Sequence, residues 1–149
     1  MPKTPYRTAA PPGATADDVE AAFYEALQAS DLDQLMACWA DDDEIVCVLP
    51  GGPRVTGAPA IRAAFERMFS LGAIRAEPQR VRKIETMTTS VHSVIERVEI
   101  TLSEGPHQSW VVATNVYLKT AQGWRLAAHH ASPGTQQRAE VTEHGRLLH

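Results

Sequence analysis

No apolar run in the chain approaches ~18 residues, so no stretch is suited to cross a membrane as a helix. Basic residues form no stripe either. Acids and bases are interspersed with a formal net charge of −4, which argues against a nucleic-acid surface. The opening stretch MPKTPYRTAAPPGA lacks the apolar segment of a signal peptide. Cysteine is scarce: Cys38 and Cys47 stand within an expected helix and strand, and suit small buried hydrophobes better than a disulfide framework. A reducing, cytoplasmic setting is the resulting expectation. The six histidines show no zinc-type spacing with the cysteines, and adjacent His129 and His130 on a strand would face opposite ways. Nucleophile-elbow motifs and phosphate-cradling glycine loops are missing, so neither metal nor cofactor is expected. Aspartate is the most lopsided absence. All seven lie at or before Asp43, so acid–base chemistry later in the chain must use glutamate or histidine.

What is present fits one domain: 149 residues, 44% apolar, are enough for a single core. Residues 1–14 carry four prolines and no periodicity, and read as a flexible leader. Thr15 offers a helix cap with Asp17 and Asp18 in the first turn, and Val19, Ala22, Phe23, Ala26 and Leu27 form a helical stripe. Asp31 can cap a second helix carrying Leu32, Leu35, Met36 and Trp39. A short buried strand, Ile45 to Leu49, stops at Pro50-Gly51-Gly52-Pro53, and Arg54 to Gly57 can return beside it. Pro59 suits the first turn of a third helix with the stripe Ile61, Ala64, Phe65, Met68 and Phe69. Long β-like segments follow, roughly Gln79 to Thr88, Val91 to Leu102, Ser109 to Thr120 and Trp124 to Ala131. Helices first and a meander of strands after them define an α+β domain over residues 15–134, with 135–149 a polar tail.

The stretch ALQASDLDQLMACWADDDEIVCVLPGGPRVTGAPAIRAAFERMF, residues 26–69, resembles the opening of SnoaL-like and ketosteroid-isomerase-like domains of the nuclear transport factor 2-like superfamily. The stretch VYLKTAQGWRLAAHHASP, residues 116–133, is similar to their closing hairpin. The resemblance implies a cone: a curved antiparallel sheet packed on three N-terminal helices around a pocket. Fold alone assigns no reaction. Against the ketosteroid-isomerase pattern, Phe23 stands at the donor tyrosine and Leu49 at the base aspartate, so turnover of Δ5-3-ketosteroids is not expected. Tyr24, one residue on, is turned ~100° around the helix and expected outside the pocket. Cyclases and epoxide hydrolases of the superfamily place aspartates in the sheet portion, and here there are none.

Strand alternation sorts the remaining polar candidates. His92, Val94, Glu96 and Val98 share the apolar face of their strand, so Glu96 sits among core positions, either held by an arginine or tyrosine hydroxyl or raised in pKa toward proton transfer. On the last strand Trp124, Leu126, Ala128 and His130 share the more apolar face, which directs His130 inward. A three-residue turn at Ala121 to Gly123 pairs Thr114 with His130 and a two-residue turn pairs Asn115 with it, and both stay open. The expected catalytic residues are therefore His130 and Glu96. The expected pocket wall comprises Trp39, Phe23, Leu49, His92, Trp110, Thr114 and Asn115. The function expected is binding of a small hydrophobic ligand in an apolar cone. It could include cofactor-free acid–base catalysis on a carbonyl compound, of isomerase, dehydratase or cyclase type. The alternative is a non-catalytic dimerisation or association module. A homodimer is expected through the sheet face opposite the pocket, where Val91, Ile95, Val111, Ala113 and Tyr117 are assigned; neither nucleic acid nor membrane is an expected partner.

Overall fold

The computed structural model describes residues 13–72 and 74–134. Most of the expected leader and all of the expected tail lie outside the described residues. Helix α1 spans Ala16–Ala29, α2 Leu32–Ala37 and α3 Ala58–Ser70, with strands β1 Val46–Val48 and β2 Arg54–Thr56 between α2 and α3. Strands β3 Ile74–Glu85, β4 Thr89–Leu102, β5 Gly105–Thr120 and β6 Gly123–Gly134 complete the chain.

The caps follow the sequence. The Thr15 hydroxyl accepts from the Asp18 N–H at 3.1 Å, and Asp31 Oδ1 accepts from the Gln34 N–H at 3.1 Å. Helix α2 stops short of Trp39, whose backbone makes an isolated parallel bridge to Leu126. Helix α1 buries Ala16, Val19, Glu20, Phe23, Tyr24, Ala26 and Leu27. At 100° per residue these cover an arc of about 160°, far wider than one apolar stripe. A helix lying inside a curved sheet is contacted on its flanks as well as its base.

The sheet order is β2-β1-β6-β5-β4-β3. It is mixed: β1 runs parallel to β6, and the other neighbours are antiparallel. Strand β3 begins at Ile74, five residues before the expected Gln79, because Pro78 sits at a register shift where the ladder does not need its missing N–H. Strand β5 likewise begins at Gly105, because Ser103-Glu104 is only the tip of a tight hairpin.

The inner face is set by alternation along β4 (His92, Val94, Glu96, Val98) and β5 (Val111, Ala113, Asn115, Tyr117), all buried. Strand β6 breaks the rule. Tyr117 pairs with Leu126 but Val116 pairs with Ala128, so Ala127 is an extra residue and the parity slips by one. Leu126 and His129 therefore both point inward, while His130 is exposed.

Candidate functional site

Helix α3, the β1–β2 loop and the inner face of the sheet enclose a cavity of about 450 Å³. Its wall is mostly aliphatic, including Leu27, Leu49, Val55, Met68, Ile74 and Val98. Four lining residues carry polar side-chain groups: Arg67, Glu96, Ser109 and His129. Of these, Glu96 and His129 are almost fully buried.

A chain of hydrogen bonds ties these two together from behind. The Tyr24 hydroxyl donates to Glu96 Oε2 at 2.6 Å. Asn115 Nδ2 donates to the Tyr24 oxygen at 3.2 Å, which leaves Asn115 Oδ1 to face His129 Nδ1 at 2.5 Å. Because Oδ1 can only accept, His129 carries its proton on Nδ1 and offers a lone pair on Nε2. No described residue bonds to Nε2 or to Glu96 Oε1, and both side chains belong to the cavity wall. Burial raises the Glu96 carboxyl to about 7, with the Glu20 charge adding to the rise and the Tyr24 hydrogen bond opposing it. Burial lowers the His129 imidazole to about 4, with His130 contributing. At neutral pH the cavity thus presents a carboxyl that can give or take a proton beside a neutral imidazole that accepts.

The structure brings only some of the expected residues to the cavity. Glu96 lies where alternation places it, and a tyrosine hydroxyl holds it. Leu49 lines the cavity. Asn115 is buried on the inner face and fixes the histidine tautomer, but that histidine is His129. His130 is corrected to the outer face by the bulge at Ala127, paired there with Thr114. Thr114 and Trp110 alternate with the inward residues of β5 and therefore leave the pocket as well. Tyr24, expected outside, reaches the site because α1 is buried over so broad an arc.

Phe23 and Trp39 are buried but do not line the cavity. The Phe23 ring packs 5.3 Å from the His129 ring and 6.5 Å from Trp39, forming the wall behind the imidazole. His92 also belongs elsewhere. Its Nδ1 meets Glu20 Oε2 at 3.0 Å and its Nε2 meets Ser90 Oγ at 2.9 Å, while Tyr117 donates to the same Glu20 oxygen at 3.2 Å. Asp17, Glu85 and His92 bring their ligating atoms within 4.8 Å of one another. Both His92 nitrogens are already engaged, and the Lys83 ammonium lies 2.8 Å from Asp17, so these donors are spent on protein partners.

A cavity enclosed by a curved mixed sheet and N-terminal helices defines a nuclear transport factor 2-like protein. Within that superfamily the chain belongs to the SnoaL-like domain family, whose model matches residues 17–136. It is similar, at 34% identity and a TM-score of 0.73, to a "putative calcium/calmodulin-dependent protein kinase type II association domain" from Thiobacillus denitrificans, covering 84% of this chain and 99% of that one. It is similar, at 27% identity and a TM-score of 0.72, to a "putative dehydratase from the NTF2-like family" of Streptomyces avermitilis, covering 78% of this chain and 91% of that one. A second structure described as such a kinase association domain, from Xanthomonas campestris, shares the fold at 18% identity and a TM-score of 0.68, covering 86% of this chain and 94% of that one. No curated protein matches the chain in sequence.

Proposed function

We propose that the domain binds a small, largely apolar ligand through a carbonyl or hydroxyl group and moves a proton on it without a cofactor, in a reaction of dehydratase or isomerase type. The observation that carries this reading is Glu96: a buried carboxyl in the cavity wall, raised to about 7, with one oxygen held by Tyr24 and the other bonded to no described residue. General acid–base catalysis works best when the group's pKa lies near the working pH. His129 Nε2 supplies an acceptor that either receives a ligand hydroxyl or removes a proton beside a carbonyl. Asn115 touches neither ligand nor reacting atoms in this scheme and acts as a positioning residue. The resemblance to a protein described as a dehydratase supports the reaction class.

The test is solvent-deuterium exchange. Enolisable ketones and 3-hydroxy ketones are incubated with the protein in D2O and followed by NMR for α-deuteration or loss of water. The expected result is exchange that falls by roughly 10²–10⁴-fold in Glu96→Gln. Ketones that bind without exchange, or exchange unchanged in Glu96→Gln, would overturn catalysis by this carboxyl.

A second reading, association with another copy, is supported by the outer face of the sheet. Val91 pairs with Val116 and Ile95 with Val112, and all four are only half-buried. The expected outer residues Val111, Ala113 and Tyr117 are corrected to the core. A homodimer through this face is compatible with an open cavity on the other side. An open cavity of about 450 Å³, within the usual range for small-molecule sites, favours ligand binding over a purely structural role.

A further inference from the structure

Arg67 is an unusual member of an apolar cavity wall. Ala64, Arg67, Met68 and Leu71 all line the cavity and recur at i, i+3, i+4 and i+7, so they form one stripe at the end of α3 that faces the ligand space. Leu71 is 80% exposed although it lines the cavity, which puts the mouth at this end. Arg67 is exposed, whereas Glu96 and His129 are buried at the opposite, inner end. Among the described residues nothing pairs with the Arg67 guanidinium. Its Ser70 contact is made through the Arg67 backbone carbonyl.

We infer that the cavity selects an apolar monocarboxylic acid carrying a ketone or hydroxyl group, with its carboxylate at Arg67 and its ketone or hydroxyl at Glu96 and His129. This deepens the proposed function and rests on it. The cavity wall's other charged group, Glu96, lies at the far end, so the mouth attracts anions. The carboxyl end of α3 contributes about half a negative charge there, which the full guanidinium charge outweighs. A planar guanidinium also matches a carboxylate with two parallel hydrogen bonds, while the aliphatic wall takes the chain between the two polar ends. An apolar alcohol or ketone without an acid group would fill the same wall but leave Arg67 unused.

The probes are a short series of ω-benzoylalkanoic acids differing in methylene count, each compared with its methyl ester, by calorimetry on the full chain. The expected result is that one chain length binds best and that the acid outcompetes its ester by about five- to tenfold, the scale of a partly exposed charge-assisted contact. Arg67→Gln should remove that preference by weakening only the acid, and Arg67→Lys should restore part of it. Added salt should weaken the acid and leave the ester unchanged.

Acid and ester binding equally to the wild type would overturn the role of Arg67 while leaving the cavity reading intact. So would an acid preference that survives Arg67→Gln. If neither form binds at any chain length, the cavity reading itself fails and this inference with it. A purely structural role at the α3 terminus would shift the melting temperature of Arg67→Gln without changing the ratio of acid to ester affinity, and that outcome also counts against the inference.

Discussion

Glu96 and His129 are displaced in opposite directions by one cause, since burial disfavours whichever form is charged. The consequence for stability has opposite signs. From about pH 4.5 to about 7 the folded chain keeps a proton on Glu96 that the unfolded chain has lost, so this group lowers stability as pH rises. From about pH 4 to about 6.5 the unfolded chain protonates His129 and the folded chain does not, so this group raises stability as pH rises. In the wild type the two trends offset over their shared window. Glu96→Gln removes one of them. Its stability should climb with pH through the histidine window, and above pH 7 it should exceed the wild type by up to about 3 kcal/mol, the linkage value of the shift. Denaturant midpoints across pH check this, and a Glu96→Gln variant no more stable than wild type at about pH 8 would mean that Glu96 is not raised. Asn115→Ala tests the neighbouring link. It leaves the His129 Nδ1–H without its acceptor and should cost about 1–3 kcal/mol in thermal melts. It should also loosen the single Nδ1–H tautomer, visible in the imidazole nitrogen shifts.

Local backbone geometry at the β5–β6 turn decides which residues reach the site. Thr120 pairs with Gly123 across a two-residue turn, and Gly123 has φ 106, a left-handed conformation that disfavours side chains. A Cβ at Gly123 would stand 3.0 Å from the Gly13 carbonyl oxygen, which accepts the Trp124 N–H. Gly123→Ala should therefore lose about 1–3 kcal/mol, read from denaturant unfolding, with the Glu96 titration unchanged. Beyond this turn, the bulge at Ala127 exchanges His129 for His130 at the pocket. Alternation is a reliable guide on β4, where it places Glu96 on the inner face with His92 and Val94. On β5 it separates two faces without saying which is inward, and Val111, Ala113 and Tyr117 lie on the inner face rather than the expected outer one. It cannot detect an inserted residue, because Leu-Ala-Ala-His-His reads equally well in either parity. The apolar dipeptide Ala127-Ala128 carries no face preference to mark the slip. Tyr24 was hidden for a different reason: a single-stripe reading of α1 ignores the flanks that a curved sheet covers. The order of helices and strands was legible throughout, because caps, prolines and turn residues punctuate the chain.

At the scale of the whole molecule, the two faces of the sheet differ in what covers them. The inner face is closed by α1 and holds the cavity. The outer face presents cross-strand apolar neighbours in register: Ile84, Val91, Val116, Ala128 and Val46 run across five strands, and Ile95 pairs with Val112 beyond an intervening row of Ser93, Thr114 and His130. Ile84 is 74% exposed, and Val91, Ile95, Val112 and Val116 are half-buried in a single chain. A continuous row of this kind is more apolar surface than isolated strands show to water, and a twofold partner would cover it with the same row from its own sheet. Light scattering should therefore find about twice the 16.3 kDa chain mass at micromolar concentration. Ile95→Lys places a charge in the second of these apolar rows, on the face away from the cavity. It should shift the population to the single-chain mass while leaving far-ultraviolet circular dichroism and the Glu96 titration as they were. A wild type that scatters as a single chain would remove the dimer. A lysine variant that stays dimeric would move the interface off the sheet, since a buried ammonium without a partner costs several kcal/mol and could not be carried twice at one twofold contact.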